Sequence, residues 1–147
     1  MTAARKLCTF HLGGLLFGIA AEQVQEVLRP LPITPLPLAP PDVAGLINLR
    51  GQIVPALDLR RRLGMAADER RGAPANLVLR GPQGPVSLLV EEIGDVLQIE
   101  DQPPEPVPDT LDAGLREMVA GVCPLPGGLL LLLDSGPVLS AVKVDGG

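Results

Sequence analysis

The sequence predicts a mainly β protein made of two similar subdomains, each with about five short strands, and a few short helices. Glycine and proline occur 17 times each in 147 residues, which indicates many turns. The segments between these turns are apolar or alternate between apolar and polar residues, as short strands do. Two parts of the chain also resemble each other. Because 46% of the residues are hydrophobic and 20% are charged, a disordered chain is excluded.

An internal repeat organises the chain. Residues 43–51 (VAGLINLRG) align with residues 119–127 (VAGVCPLPG) at an offset of 76. The match continues downstream, where Asp58 aligns with Asp134 at the same offset. Two stretches that match in this order, with the same glycines, favour a duplication over chance similarity. The duplication predicts that aligned residues occupy equivalent positions in two related subdomains.

A second block of the repeat lies upstream of the first. Residues 22–28 align with residues 91–97 at an offset of 69, and a proline-rich connector follows each. The difference between the two offsets makes the second connector seven residues longer. The repeat therefore predicts a first subdomain at roughly 1–72 and a second at roughly 73–147.

The strands follow from the apolar segments and the turns between them. Short helices are expected after Asp58 and near the C-terminus. Pro55 predicts a sheet edge or a bulge in its strand, because proline cannot donate to the ladder. The predicted strands are residues 7–12, 15–19, 25–29, 46–49 and 53–57 in the first half and residues 77–80, 86–90, 95–99, 118–122 and 129–133 in the second.

The N-terminus carries a pattern that imitates a secretory signal. Two basic residues precede the apolar stretch 7–21, but Thr9, His11 and two glycines interrupt it, which favours a β-hairpin. The leucine run at 129–133 is far shorter than the ~20 residues that span a bilayer. The expected location is therefore the cytoplasm.

The net charge of −5 makes the protein a poor candidate for binding nucleic acid. The arginines at 60–62 and 70–71 form a candidate basic patch, but acidic residues lie among them and no aromatic residue accompanies them, which favours a solvated helix face. The chain carries +3 up to Arg71 and −8 after it. Two interpretations stay open: both parts are solvated, or copies or relatives associate head to tail.

Residues for catalysis and metal binding are scarce. His11 is the only histidine, which leaves little general acid–base chemistry. The sequence contains no nucleophile elbow, phosphate-binding loop or metal-ligand spacing. Cys8 and Cys123 lie far apart and look like small core residues. We therefore expect no catalytic residues, no metal and no cofactor.

The segment Asn48-Leu49-Arg50-Gly51 is the most informative short motif. It places a cationic donor at a hairpin tip between two apolar strands, where arginine suits bidentate recognition of a carboxylate. Glu26, an acidic residue in an apolar strand, is one candidate partner. An exposed turn arginine that is only solvated is the alternative.

These residues resemble the CheW-like family, the coupling proteins of bacterial chemotaxis. The resemblance covers about residues 6–142 and implies a single CheW-like domain of two pseudo-symmetric, five-stranded SH3-like barrels on a common apolar core. The sequence departs from the family in its near absence of aromatics, its six prolines at 30–41 and its short last helix. The matching segments are Gly18-Ile19, Val24-Gln25-Glu26-Val27, Pro35, Gly45, Asn48-Leu49-Arg50-Gly51, Ile53-Val54-Pro55, Asp58-Leu59-Arg60, Val90, Val96-Leu97, Gly121 and the strand 130–133.

The resemblance also implies a function. Family members are non-enzymatic adaptors that connect methyl-accepting chemotaxis receptors to the regulatory domain of a CheA-type histidine kinase, and similar barrel ends pair in rings. The groove between the barrels takes the receptor's cytoplasmic tip. Such an adaptor works in the cytoplasm at the inner face of the membrane, without inserting into it. The rival classes are a barrel-type nucleic-acid-binding module and an enzyme.

The resemblance assigns two surfaces. Arg50 either contacts the receptor or orients Glu26 from behind, and both roles stay open. The kinase-facing positions rest on fold-level analogy alone. The implied receptor-binding residues are Val24, Glu26, Val27 and Arg50, and the implied kinase-binding residues are Val86, Leu88, Val90 and Val96.

Overall fold

A computed structural model describes residues 4–65, 73–100 and 105–140. Ten strands, three short α-helices and one turn of 3-10 helix at Ala21–Gln23 form in these ranges, so every predicted strand is present. Arg70 and Arg71 of the candidate basic patch lie outside the described residues. The elements are β1 (Ala4–Leu12), β2 (Leu15–Ala20), β3 (Val24–Leu28), β4 (Val43–Leu49), β5 (Gln52–Asp58), α1 (Leu59–Arg62), β6 (Ala75–Gly81), β7 (Gly84–Val90), β8 (Glu92–Glu100), α2 (Ala113–Met118), β9 (Val119–Leu125), β10 (Gly128–Leu133) and α3 (Ser135–Leu139).

The strands form two five-stranded sheets, each an SH3-like barrel. The terminal barrel has the strand order β8-β1-β2-β10-β9, and the central barrel has the order β3-β6-β7-β5-β4. In each, one parallel pair, β2 with β10 or β7 with β5, joins an antiparallel hairpin to the rest of the sheet. The predicted fold class is therefore confirmed.

The two barrels match register for register. Gly45 pairs with Ala56 in the central barrel, and the aligned Gly121 pairs with Leu132 in the terminal barrel. A register shift falls beside these pairs in both barrels. The Asp58 amide donates to the carbonyl of Asp42 at 2.7 Å, and the aligned Asp134 amide donates to the carbonyl of Met118 at 2.8 Å. The duplication seen in the sequence is confirmed in the ladders.

The boundary at 72/73 separates the two repeats but not the two barrels, and in this the predicted subdomain division is wrong. The terminal barrel takes the β1–β2 hairpin from the first repeat and β8, β9 and β10 from the second. The central barrel takes β3, β4 and β5 from the first repeat and the β6–β7 hairpin from the second. The first hairpin of each repeat therefore belongs to the barrel that is formed mainly by the other repeat.

The position of Pro55 also differs from the prediction. Its strand β5 lies between β4 and β7 and is not an edge. The pairing of β5 with β7 begins at Ala56, one residue after the proline, so the missing N–H falls before that ladder. The register shift in this hairpin lies on β4, between Val43 and Gly45.

One apolar core joins the barrels, and each barrel keeps a smaller core of its own. Phe10 and Phe17, a cross-strand pair of the β1–β2 hairpin, stack with ring centroids 5.4 Å apart and are fully buried in the shared core. Leu77 and Leu88 of the central barrel lie in the same cluster. Burying side chains of this size stabilises a fold by about 1.5–3 kcal/mol each, so the shared core fixes the two barrels as one domain.

Candidate functional site

The tip of the β4–β5 hairpin places Arg50 in an uncommon backbone conformation. Arg50 and Gly51 have φ of 52° and 86°, as in the type I′ turn that joins tightly twisted strands. Leu49 and Gln52 pair at the base of this turn, and the Asn48 side-chain oxygen accepts a hydrogen bond from the Gly51 amide at 2.8 Å. A non-glycine residue in the left-handed region marks a position fixed by its surroundings.

The Arg50 guanidinium makes a bidentate ion pair with Glu26. Nη1 donates to Oε1 at 3.0 Å, and Nη2 donates to Oε2. Glu26 lies on β3 and Arg50 follows β4, and these strands are the two edges of the central sheet. The pair therefore bridges the open edges of the barrel at one end, and Glu26 is confirmed as the predicted partner.

The ion pair changes the protonation equilibria of both groups. The hydrogen bonds from Arg50 lower the pKa of the Glu26 carboxyl, against a smaller effect of burial, and Gln25 adds to the lowering. The same hydrogen bonds raise the pKa of Arg50. The Arg50 side chain stays 67% exposed and that of Glu26 22% exposed, so a fixed cation is presented to solvent.

The predicted receptor-facing residues lie together on β3 and the adjacent turn. Val27 is 44% exposed. Val24 is half-buried and packs against the shared core. A register shift between Val24 and Glu26 divides this short strand into a part that packs against the core, at Val24, and a part that includes the exposed Val27. Of the four residues, Glu26 and Arg50 form the ion pair, Val27 is exposed on the face of β3 opposite to the Glu26 side chain, and Val24 packs against the shared core.

Three of the four predicted kinase-facing residues are core residues. Val86 is 5% exposed, Val90 is 1% exposed and Leu88 is fully buried. They lie on β7, which has β5 on one side and β6 on the other. Four of the five residues at 86–90 are apolar and Ser87 is buried among them, as is typical of a strand that is covered on both faces. Their assignment to a surface is wrong, whereas Val96, on β8 of the other barrel, is 60% exposed.

The repeat relates four exposed apolar residues, of which sequence reasoning named Val27 and Val96 and missed Ile53 and Leu129. Val27 aligns with Val96, and Ile53, which is 70% exposed, aligns with Leu129, which is 58% exposed. Four of the six large apolar side chains exposed in the described residues thus fall on equivalent positions of the two barrels. The alignment offsets, applied to the solvent-facing positions of each strand, could have identified these residues from the sequence.

Two of the three arginines of α1, Arg60 and Arg62, form internal bonds, whereas the side chain of Arg61 is exposed to solvent. Arg60 pairs with Glu91, whose carboxylate also accepts a hydrogen bond from the Gly13 amide. Arg62 donates to the carbonyls of Val138 and Pro137 in α3. Both side chains therefore connect α1 to other parts of the fold, Arg60 to Glu91 and Arg62 to α3.

The described residues contain little that could support catalysis. They include no group of three His, Cys, Asp or Glu side chains placed to hold a metal ion. His11 is exposed on β1. Cys8 and Cys123 are free, and burial raises the pKa of both thiols, which disfavours the reactive thiolate. Within the same ranges, no helix is long and apolar enough to cross a membrane.

Two fused SH3-like barrels with an exposed ion pair and exposed apolar side chains at equivalent positions give the molecule the features of a protein-interaction domain. Comparison with known proteins identifies the family. Residues 6–143 match the model of the CheW-like domain, and the chain belongs to this family.

Individual relatives agree with this membership. The chain is 34% identical to a chemotaxis protein CheW of Rhizobium meliloti over 130 residues, which cover 88% of this chain and 84% of that protein. It is 30% identical to a chemotaxis protein CheW of Klebsiella aerogenes over 146 residues, covering 97% and 86%. The crystal structure of the scaffolding protein TtCheW from Thermoanaerobacter tengcongensis matches with a TM-score of 0.80, 25% identity and 90% coverage of both chains.

Proposed function

We propose that this protein is a non-enzymatic chemotaxis adaptor that couples methyl-accepting receptors to the regulatory domain of a CheA-type histidine kinase. The observation that carries the proposal is the family match over residues 6–143. The relatives named as CheW proteins and the scaffolding protein of the same fold support it. As an adaptor, the protein works in the cytoplasm and is recruited to receptor arrays at the inner face of the membrane.

The receptor-facing surface in this proposal is centred on the Arg50–Glu26 pair. An exposed guanidinium held by a carboxylate keeps free N–H groups in a fixed orientation for a polar or acidic partner group. Val27 supplies an exposed apolar contact on the same strand. The cytoplasmic tip of the receptor is the partner we assign to this surface.

The kinase-facing surface in this proposal is centred on Val96 of the terminal barrel. The kinase regulatory domain, by its resemblance to this fold, would offer a similar barrel end. Residues 24–90, which contain the central barrel, carry eight Lys/Arg and five Asp/Glu, or +3, whereas the rest of the chain carries four and twelve, or −8. Opposite net charges on related barrels favour contacts between unlike barrels, as a ring of alternating domains requires.

The test is a titration of the cognate kinase regulatory domain with this protein by calorimetry. A reversible scaffold contact predicts micromolar affinity, about −8 kcal/mol. The second arm reconstitutes kinase with receptor and measures phosphorylation with and without this protein. Absence of binding, together with kinase activity that ignores the receptor, would exclude the adaptor role.

A further inference from the structure

The helix α1 follows directly from the hairpin that carries Arg50. Strand β5 of this hairpin ends at Asp58, and α1 begins at Leu59 with no loop between them. The Asp58 side chain accepts a hydrogen bond from the Arg61 amide at 3.3 Å and so caps the first turn of the helix. Because strand and helix share this capped junction, the position of α1 is fixed relative to the β4–β5 hairpin.

The other end of α1 lies against the terminal barrel. Gly64 has a φ of 73°, and its amide donates to the carbonyl of Arg61 at 3.0 Å. The Met65 amide donates to the carbonyl of Arg60 at 3.0 Å. These two bonds form a Schellman motif, which ends the helix and turns the chain back. Met65 then lies over the β1–β2 turn, where a Cβ atom on Gly13 would be only 2.1 Å from Met65 Cε.

Glu91 joins α1 to both barrels. It is the single residue between β7 of the central barrel and β8 of the terminal barrel, so the chain crosses from one barrel to the other at this point. Its Oε1 accepts hydrogen bonds from Arg60 Nη2 and from the Gly13 amide. The Arg60 side chain is only 11% exposed, so water competes little for it. One carboxylate oxygen therefore holds α1, the β1–β2 turn and the crossover together.

The chain also crosses between the barrels at Ala21–Gln23, which contains Glu22, the residue aligned with Glu91. The residue aligned with Arg60 is Gly136 of α3, which has no side chain to reach a carboxylate. An open cleft of about 740 Å³ lies there between the β6–β7 turn and α3. The fold thus forms one crossover without an arginine–glutamate contact, which favours a role for the contact at Glu91 beyond folding.

We propose that α1 transmits the position of the Arg50 hairpin to the terminal barrel, and that the contact between Arg60 and Glu91 is the link. The inference rests on the proposed function, which assigns the receptor to Arg50 and the kinase to Val96. These residues lie on different barrels, and a continuous path joins them: β5 leads into α1, Arg60 binds Glu91, and Glu91 leads into β8, which carries Val96. Arg60 and Glu91 are therefore positioning residues, which couple the two partner surfaces without belonging to either.

The first test measures amide hydrogen exchange in the full chain. Glu91→Ala removes the acceptor of the Gly13 amide, so exchange at Gly13 should accelerate about tenfold or more, as loss of a hydrogen bond to a charged group predicts. Exchange at Thr34, which bonds to Leu46 within the central barrel, should stay unchanged. Glu92→Ala, which removes the neighbouring exposed carboxylate, is the matched control and should exchange like wild type. Unchanged exchange at Gly13 in Glu91→Ala would overturn the proposal.

The second test measures coupling in the kinase reconstitution with receptor. Arg60→Met and Glu91→Ala should each reduce the receptor-dependent change in kinase activity about fivefold or more. Their Kd values for receptor membranes and for the kinase regulatory domain should stay within about twofold of wild type, because neither partner surface is changed. Arg61→Met removes the same charge from an exposed side chain of α1 and should couple like wild type.

The possible failures are distinguishable. Normal kinase control in Arg60→Met or Glu91→Ala would overturn the proposal. Loss of control together with weaker binding of either partner would also overturn it, because a structural defect would then explain both losses. If wild type itself fails to connect receptor and kinase, the adaptor function is excluded.

Discussion

Arg50, at one edge of the central barrel, forms an ion pair with Glu26 at the other edge, and the equivalent residues of the terminal barrel form no such pair. The aligned residues there are Pro126 and Asp95. Pro126 precedes Gly127, whose φ is 82°, so a turn at the same register forms without an arginine. The fold therefore does not need a guanidinium at this corner, which favours a role for Arg50 at a surface.

The first prediction concerns Arg50. Arg50→Ala should keep the fold, because the Pro126 turn forms the same corner without the ion pair, and should abolish receptor-dependent control of the kinase. Arg50→Lys should not restore control, since lysine lacks the planar two-pronged donor. The measurements are thermal melting and kinase reconstitution with receptor. Normal coupling in Arg50→Ala would exclude the functional role, and a collapsed melt would reassign Arg50 to structural support.

The second prediction concerns pH. The Glu26 carboxyl has a lowered pKa in the folded state because Arg50 donates to it. The ion pair therefore contributes stability above the ordinary glutamate value of about 4.5, and this contribution is lost as the pH falls through the lower folded pKa. Melting temperature measured from neutral pH downward should fall more steeply for wild type than for Glu26→Gln. Parallel curves for the two proteins would show that the pair adds no stability.

The third prediction concerns Arg62, which joins the two repeats. Its guanidinium donates to Val138 and Pro137 carbonyls at 3.2 and 2.5 Å and to the Ser140 hydroxyl at 2.8 Å. It also pairs with Asp42 at 3.4 Å. Arg62→Met should lower the free energy of unfolding by about 1–3 kcal/mol, because α3 carbonyls lose a charged donor.

The control for Arg62 is its neighbour Arg61, whose side chain is exposed. Arg61→Met removes the same charge from α1 and should change stability by under about 0.5 kcal/mol. Denaturant unfolding of both variants checks the difference. Equal losses would mean that net charge, not the bonds to α3, sets the effect.

The sequence predicted the strands and the equivalence of the repeats, but it could not predict how the repeats combine. Alignment places Gly45 over Gly121 whether each hairpin packs on its own repeat or on the other, because either arrangement forms the same strand pairs. The exchange depends on the short connection between β2 and β3, at Ala21–Gln23, where the chain leaves one sheet for the other. That choice is made by three-dimensional packing.

The candidate site divides in a similar way. Glu26 could be predicted as the partner of Arg50 because burying a carboxylate in an apolar strand is costly unless the charge is paired. The prediction of kinase-facing residues was wrong at Val86, Leu88 and Val90, because analogy of fold does not identify which face of a strand is exposed. The burial signal was present, since a strand with apolar residues at four of five successive positions, as at 86–90, is typically covered on both faces.

The last prediction uses Val27 and Val96, which occupy equivalent positions on the two barrels and are 44% and 60% exposed. If the barrels carry different partners, Val96→Asp should weaken kinase-domain binding about tenfold or more and leave receptor binding intact, and Val27→Asp should do the reverse. Neither change should move stability by more than about 0.5 kcal/mol, since both side chains are on the surface. Calorimetry with the kinase domain and co-sedimentation with receptor membranes separate the two losses. Variants that fail in the same assay would mean that the equivalent positions face one partner, because a duplicated surface that has not diverged presents the same contacts twice.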